Sequence, residues 1–239
     1  MTTELHGATV LVIGGAKNLG KAIAESLDSL GARVVIGARD VTAADEVAAT
    51  LGQARGIAID ITDEATIASA ARELGGVDHV ISTAAAHHNV RVAELDHAKT
   101  VTAFEAKVIG PILVAKHFAP IMPRAGSITL FAGVAAWQPA AGYALMGITN
   151  GALAFAVTHL AKELAPLRVN AISPGIIDSG MWDSMDDPGR QAFFADVARE
   201  LPAGRVGAPA DIVDAVRWLL DAEFITGETI HIEGGARSS

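Results

Sequence analysis

Apolar residues fall into two kinds of run that alternate along the chain. The short runs are Val10–Ile13, Arg33–Ile36, Gly56–Asp60, Asp78–Ser82, Ser127–Phe131, Arg168–Ile172 and Thr229–Ile232. Most are continuous rather than strictly alternating, as in strands buried on both faces of a parallel sheet. Longer stretches with helical spacing lie between them. Leu19, Ile23, Leu27 and Leu30 mark one face of a first helix that Gly31 ends, and Ile212, Val216, Leu219 and Leu220 mark a late one. Val101–Phe118 and Thr149–Leu164 read as two longer helices, and Gly110-Pro111 should kink the first. Strand–helix repetition with short joints predicts an α/β fold. Its centre is a doubly wound parallel sheet of about seven strands with helices on both faces, one domain over residues 1–239. The segment 178–201 is the least regular and reads as a lid over a cleft.

Composition narrows the setting. Half of the 239 residues (51%) are hydrophobic, enough for a large interior. A formal net charge of −9 without a basic stripe argues against nucleic acid and anionic membrane surfaces as partners. The absence of cysteine removes disulfide and thiolate chemistry. The opening Met1-Thr-Thr-Glu-Leu-His lacks the basic start and apolar run of a secretory signal. No apolar stretch of about 18 residues free of charges and breakers stands out, so no membrane span is expected. A cytoplasmic location follows as the expectation, and no histidine–carboxylate spacing suggests a metal site.

The first strand runs into Gly14-Gly15-Ala16-Lys17-Asn18-Leu19-Gly20, and a helix follows at once. In doubly wound sheets ligands bind beyond the carboxyl ends of strands. Small residues there let the backbone approach a pyrophosphate, and the helix N-terminus offers free N–H groups. Asn18 occupies the slot of a middle glycine, and asparagine tolerates positive φ better than other non-glycine residues. The other reading is a tight strand-to-helix turn without a ligand.

With these residues in place, the chain resembles the short-chain dehydrogenase/reductase family over nearly its whole length, and with it a Rossmann-type three-layer sandwich. Ile13–Gly20 is similar to the family's T-G-x-x-x-G-I-G. Asp60-Ile61 resembles its adenine-contacting pair, and Ser82-Thr83-Ala84-Ala85 its N-N-A-G. Arg168–Gly175 resembles R-V-N-x-x-x-P-G, and Thr226-Gly227 with Glu233-Gly234-Gly235 resembles the C-terminal T-G and D-G-G. The resemblance implies a nicotinamide cofactor held by Gly14, Ala16, Lys17, Asn18, Leu19, Gly20, Asp60, Ile61, Thr83, Ala84, Ala85, Asn150, Pro174, Gly175 and Ile177. The slot for an NAD-selecting carboxylate falls on Ala38, and Arg39 follows it. Arg39 and Lys17 together favour a 2′-phosphate, hence NADP(H) over NAD(H). The resemblance also implies a homo-oligomer, tetramer or dimer, pairing through the two long helices and the last strand.

The family's reaction uses an asparagine, a serine, a tyrosine, and a lysine four residues after the tyrosine. Two registers are possible. Starting from Tyr143 puts Gly147 at the lysine and Leu130 at the serine. Counting back from Ala161-Lys-Glu-Leu164 puts Asn150 at the lysine, Met146 at the tyrosine and Gly133 at the serine. The second needs no gap and is preferred, and Lys107 then falls at the asparagine. None of the four usual groups is present, and neither Met146 nor Gly133 has a proton to give.

Three replacements are candidates. Lys107 should face the cleft or find a carboxylate, because an unpaired buried ammonium is costly; its alternative is to snorkel to solvent. Tyr143, the only tyrosine, reads first as loop packing and second as a substrate-side group. Asn150 retains the ability to bond ribose hydroxyls. His87 and His88 follow the fourth strand at the cleft edge. Met181, Trp182 and Met185 in the lid suggest an apolar small-molecule substrate.

Three functions stay open at this point. One is an NADP(H)-dependent oxidoreductase with a non-standard proton donor, acting on a small or medium apolar carbonyl, imine or activated alkene. The others are an NADP(H)-binding sensor without redox turnover and a non-redox isomerase or dehydratase.

Overall fold

A computed structural model describes residues 5–238. Met1–Glu4, the start of the segment read as lacking a secretory signal, lie outside the described residues. Seven strands form one parallel sheet: β1 (Thr9–Ile13), β2 (Arg33–Ala38), β3 (Ala54–Ala58), β4 (His79–Ser82), β5 (Ser127–Phe131), β6 (Arg168–Pro174) and β7 (Thr229–Ile232). Their order is β3-β2-β1-β4-β5-β6-β7, and every neighbouring pair is parallel. The expected seven strands are all present. β3 begins and ends two residues earlier than the pattern suggested, because Ala54 rather than Gly56 opens the pairing with β2.

Successive residues of each strand feed two separate interiors, as a period of two requires. Val10 and Val12 join Ile23, Leu27, Ile212 and Val216 beneath α1 (Asn18–Ser29), α2 (Val41–Ala48) and α8 (Pro209–Asp221). Leu11 and Ile13 join Ile67, Val114, Phe118, Leu153 and Val157 on the other face. That face carries α3 (Glu64–Leu74), α5 (Gly110–Phe118) and α6 (Ala144–Glu163). Gly31 ends α1 as expected, at φ +83°, with its N–H on the Asp28 carbonyl.

The long helix before β5 departs from expectation in an instructive way. It starts earlier, as α4 (His97–Phe104), passes through a π-turn (Glu105–Ile109), and continues as α5. Pro111 has no N–H for the Lys107 carbonyl. The expected break at Gly110-Pro111 is absorbed by widening one turn, with the Gly110 N–H on the Glu105 carbonyl five residues back. Such turns collect at functional sites, and Lys107 lies inside this one.

α6 starts five residues before the predicted Thr149. By length and composition it is long and apolar enough to cross a membrane, although Gly147 and Gly151 interrupt its apolar run. One face, Leu145, Asn150, Leu153, Val157 and Ala161, is buried, and α6 packs on β6 and the π-turn. The predicted lid is less irregular than its sequence suggested: α7 (Asp187–Glu200) occupies most of it, capped by the Asp186 carboxylate on the Gly189 N–H. None of the residues of α7 is buried.

Candidate active site

The strand order reverses between β1 and β4, and there the loops leaving neighbouring strands diverge and open a crevice. The glycine-rich turn leaves β1 at this crevice. Asn18 is the one non-glycine residue with positive φ among the described residues, at +50°, as its glycine slot demanded. Gly14 has φ +84°, and a Cβ there would lie 2.6 Å from Thr83 Oγ1. Gly20 faces the Gly14 carbonyl too closely for any Cβ. Thr83 locks the next loop to this turn, donating from N and Oγ1 to the Ile13 carbonyl at 2.9 and 3.2 Å. No side chain caps α1 at Lys17, and its first turn holds no acid. The open helix N-terminus and bare backbone fit a diphosphate.

Lys17 and Arg39 are exposed near the exits of β1 and β2, and neither makes an ion pair or side-chain hydrogen bond among the described residues. Ala38 closes β2, and its carbonyl receives the Ile59 N–H. Asp60 turns its carboxylate on Thr62, accepting from N at 2.9 Å and Oγ1 at 2.7 Å. Ile61 is buried against Gly110. Ala84 and Ala85 follow Thr83 beside the turn, where the Ala84 N lies within 3.1 Å of a Cβ placed on Gly14. Pro174 ends β6, and the Gly175 N–H bonds the Ile232 carbonyl at 3.0 Å. Ile177 is buried, and its carbonyl accepts the Trp182 indole N–H at 3.0 Å.

At the exit of β5 two residues of the second register, Gly133 and Asn150, lie together. A Cβ on Gly133 would stand 2.9 Å from Asn150 Nδ2, so the Asn150 amide occupies the space beside the missing side chain. Asn150 is 2% exposed, and its Oδ1 has no partner. That orphaned oxygen fits a sugar hydroxyl. Lys107 is 7% exposed, and its Nζ reaches the Ala132 carbonyl at 3.4 Å. It does not snorkel. Burial lowers its pKa from 10.5 to about 8. Met146 is half-buried. Tyr143 stands at the start of α6, 40% exposed, with no polar contact from its hydroxyl among the described residues.

The two loop histidines separate. His88 Nε2 accepts the Asp96 N–H at 3.1 Å and is part of the scaffold. His87 keeps an exposed edge, and its pKa is lowered first by the protein around it and then by the Lys107 charge. Sequence reasoning missed the contact between the lid and the turn. Gly180, at φ +82°, lies against Asn18, where a Cβ would meet Oδ1 at 2.8 Å. Beyond it Trp182 packs against Phe193 at 4.8 Å between centroids with the rings tilted by 45°, and Arg190 ties Asp183 to Asp187. The sequence marked 178–201 only as irregular, and the fold shows that Gly180 within it touches Asn18.

A family profile described as enoyl-(acyl carrier protein) reductase matches residues 14–237. The chain belongs to the short-chain dehydrogenase/reductase family. The 3-oxoacyl-[acyl-carrier-protein] reductase FabG of Aquifex aeolicus is 30% identical over 98% of this chain and 99% of its own. The sorbitol dehydrogenase of Cereibacter sphaeroides is also 30% identical, over 97% and 98%. Among solved structures, a small-chain dehydrogenase in complex with NADPH superposes with a TM-score of 0.84 at 29% identity, covering 98% of this chain and all of the other. A short-chain dehydrogenase/reductase from Brucella melitensis gives 0.89 at 30% identity, covering 99% of both. The chain is thus an oxidoreductase of the NAD(P)-dependent type by family.

Proposed function

We propose that this protein is an NADP(H)-dependent oxidoreductase in which Lys107 replaces the family's tyrosine as the proton donor. The acceptor is a small or medium apolar carbonyl, imine or activated alkene. The observation that carries the reading is the position of Lys107: buried, without a carboxylate, beside Asn150 and Gly133 where the usual serine and lysine would stand. When bound, the dinucleotide supplies the hydride. The chain's own residues do the rest. The main-chain N–H groups of 14–20 hold the phosphates, and Arg39 and Lys17 face a 2′-phosphate with no acid at Ala38 to oppose them. Asn150 Oδ1 holds a ribose hydroxyl. Asp60, Ile61, Thr83, Ala84 and Ala85 line the adenine half, and Pro174, Gly175 and Ile177 the nicotinamide half. Lys107 Nζ gives its proton to the oxygen or nitrogen that hydride transfer makes basic. Residues 178–201 act as the lid, with Met181, Trp182 and Met185 on its apolar side.

The NADPH complex of a related dehydrogenase supports the cofactor choice. Lys107→Met lowers turnover at least about tenfold while NADPH affinity stays nearly unchanged, in line with losing one positioned acid. Equal turnover removes Lys107 from the reaction, and NADH binding as tight as NADPH rejects the cofactor preference. Stereospecific deuteride transfer from labelled NADPH to one member of a carbonyl, imine and enone panel is the positive result. Tight NADPH binding with a silent panel instead favours a sensor, the reading that the empty tetrad keeps open. The apolar outer face of α6, with Ile148 and Phe155 60% and 71% exposed, is proposed as a self-association surface. Phe155→Glu lowers the oligomer mass on sedimentation if it is.

A further inference from the structure

Lys107 and Asn150 converge on consecutive residues, Ala132 and Gly133, where the chain leaves β5. An ammonium has three donors, and Lys107 uses one, at 3.4 Å, on a main-chain carbonyl. Among the described residues no aspartate or glutamate forms an ion pair with it, and burial lowers its pKa. A buried cation without a counter-ion is unstable, and an arriving anion relieves that cost. Asn150 adds an amide donor, Nδ2, which lies 2.9 Å from where a Cβ on Gly133 would stand. The glycine-rich turn, Lys17 and Arg39 serve the exits of β1 and β2, whereas Lys107 lies at β5, on the far side of β4. The phosphate-binding elements and this cation therefore occupy different parts of the crevice.

We infer that Lys107 Nζ and Asn150 Nδ2, which meet the main chain at Ala132 and Gly133, form an anion subsite on the substrate side of the cleft. Its ligand is a negatively charged oxygen: a carboxylate on the substrate, or the oxyanion that a reacting carbonyl becomes. This rests on reading the cleft as the active site. It narrows the acceptor to an oxo compound, above all an oxo acid, and disfavours an iminium cation, which Lys107 would repel.

The charged groups around Lys107 make the subsite's pH dependence attributable. β5 brings only main chain, α6 brings the neutral Asn150, and the loop after β4 brings His87, whose pKa is lowered and which is neutral above pH 7. His97 and Lys99 of α4, Lys116 of α5, and His159, Lys162 and Glu163 of α6 are exposed to solvent. His117 of α5 is paired with Glu64, and Glu105 of the π-turn makes no ion pair with Lys107.

The test is calorimetric titration of sodium butyrate into the NADP+-saturated protein, in two buffers of different ionisation enthalpy. Binding draws about half a proton per site at pH 8 and nearly one at pH 9, and affinity falls about tenfold per pH unit above 8, because the free lysine must be protonated to bind. Lys107→Met weakens butyrate at least tenfold and abolishes proton uptake, whereas Lys107→Arg keeps binding and loses the pH dependence. Circular dichroism confirms that each variant is folded, and the wild-type proton count needs no variant. Absence of binding, binding without proton uptake, or binding only when NADP+ is absent overturns the subsite; the last assigns the cation to the cofactor. None of these readings uses turnover. Lys107-dependent turnover without butyrate binding leaves the proton-donor reading standing and sinks the subsite, and the converse result does the opposite.

Discussion

At the scale of single residues, two positions carry most of the site's character. Asn18 holds φ +50° inside the turn, a conformation that costs a Cβ-bearing residue other than asparagine about 1–2 kcal/mol. Asn18→Ala therefore lowers stability by about 1 kcal/mol and weakens NADPH, while Asn18→Gly retains both; thermal melts with and without NADPH check this. Under the proposed function, Lys107 sets the pH range of the chemistry. As the proposed acid, with a pKa lowered by burial to about 8, it delivers a proton below that value and loses the ability as pH rises through it. The measured kcat/KM is then flat at lower pH and falls above about 8. Lys107→Arg abolishes that limb. Restoring the serine alone does not help: the Cβ of Gly133→Ser would meet Asn150 Nδ2 at 2.9 Å, so the amide must move and the orphaned oxygen with it. Gly133→Ser weakens NADPH binding, and a Kd unchanged from wild type shows that the amide is not engaged with the cofactor.

At the scale of elements, the π-turn shows how one proline reshapes a helix. By removing the N–H that the Lys107 carbonyl needs, Pro111 widens the turn that holds the lysine under β5. Elsewhere a side chain closes a helix. Arg168, 7% exposed, donates to the Leu219, Leu220 and Ala222 carbonyls at 2.9, 2.8 and 3.3 Å, which satisfies the C-terminus of α8 and ties it to the start of β6. A guanidinium also complements the negative end of the helix. Arg168→Met leaves those carbonyls buried without a donor and costs about 2–4 kcal/mol. Urea unfolding measures it, and Arg168→Lys recovers only part, lacking the planar fork.

At the scale of the whole molecule, the sheet is the frame on which the site hangs, and its lower edge is acid-sensitive. His79 is largely buried, with Nδ1 2.8 Å from Ser127 Oγ. Burial first, and the Arg168 charge second, lower its pKa from 6.5 to about 4. The unfolded chain takes up a proton on this group near pH 6.5, and the folded protein does not until about pH 4. Stability is therefore whole above pH 6.5 and lost as pH falls towards 4, by about 3 kcal/mol from this residue. Urea midpoints between pH 7 and 4.5 show the decline. His79→Gln flattens it.

The seven strands, the glycine-rich turn with its left-handed asparagine and the likeness to a family were legible in the chain, because each is a local pattern: continuous apolar runs, a glycine spacing, a residue type at a fixed offset. Tertiary structure alone decided what those residues face. It brought Asn150 over Gly133, kept Lys107 inside without a counter-ion, set His87 near Lys107 and His88 on the Asp96 main chain, and laid Gly180 against Asn18. Each of these depends on segments far apart in sequence meeting at one end of the sheet, and no pattern within a single segment encodes the distance between two of them.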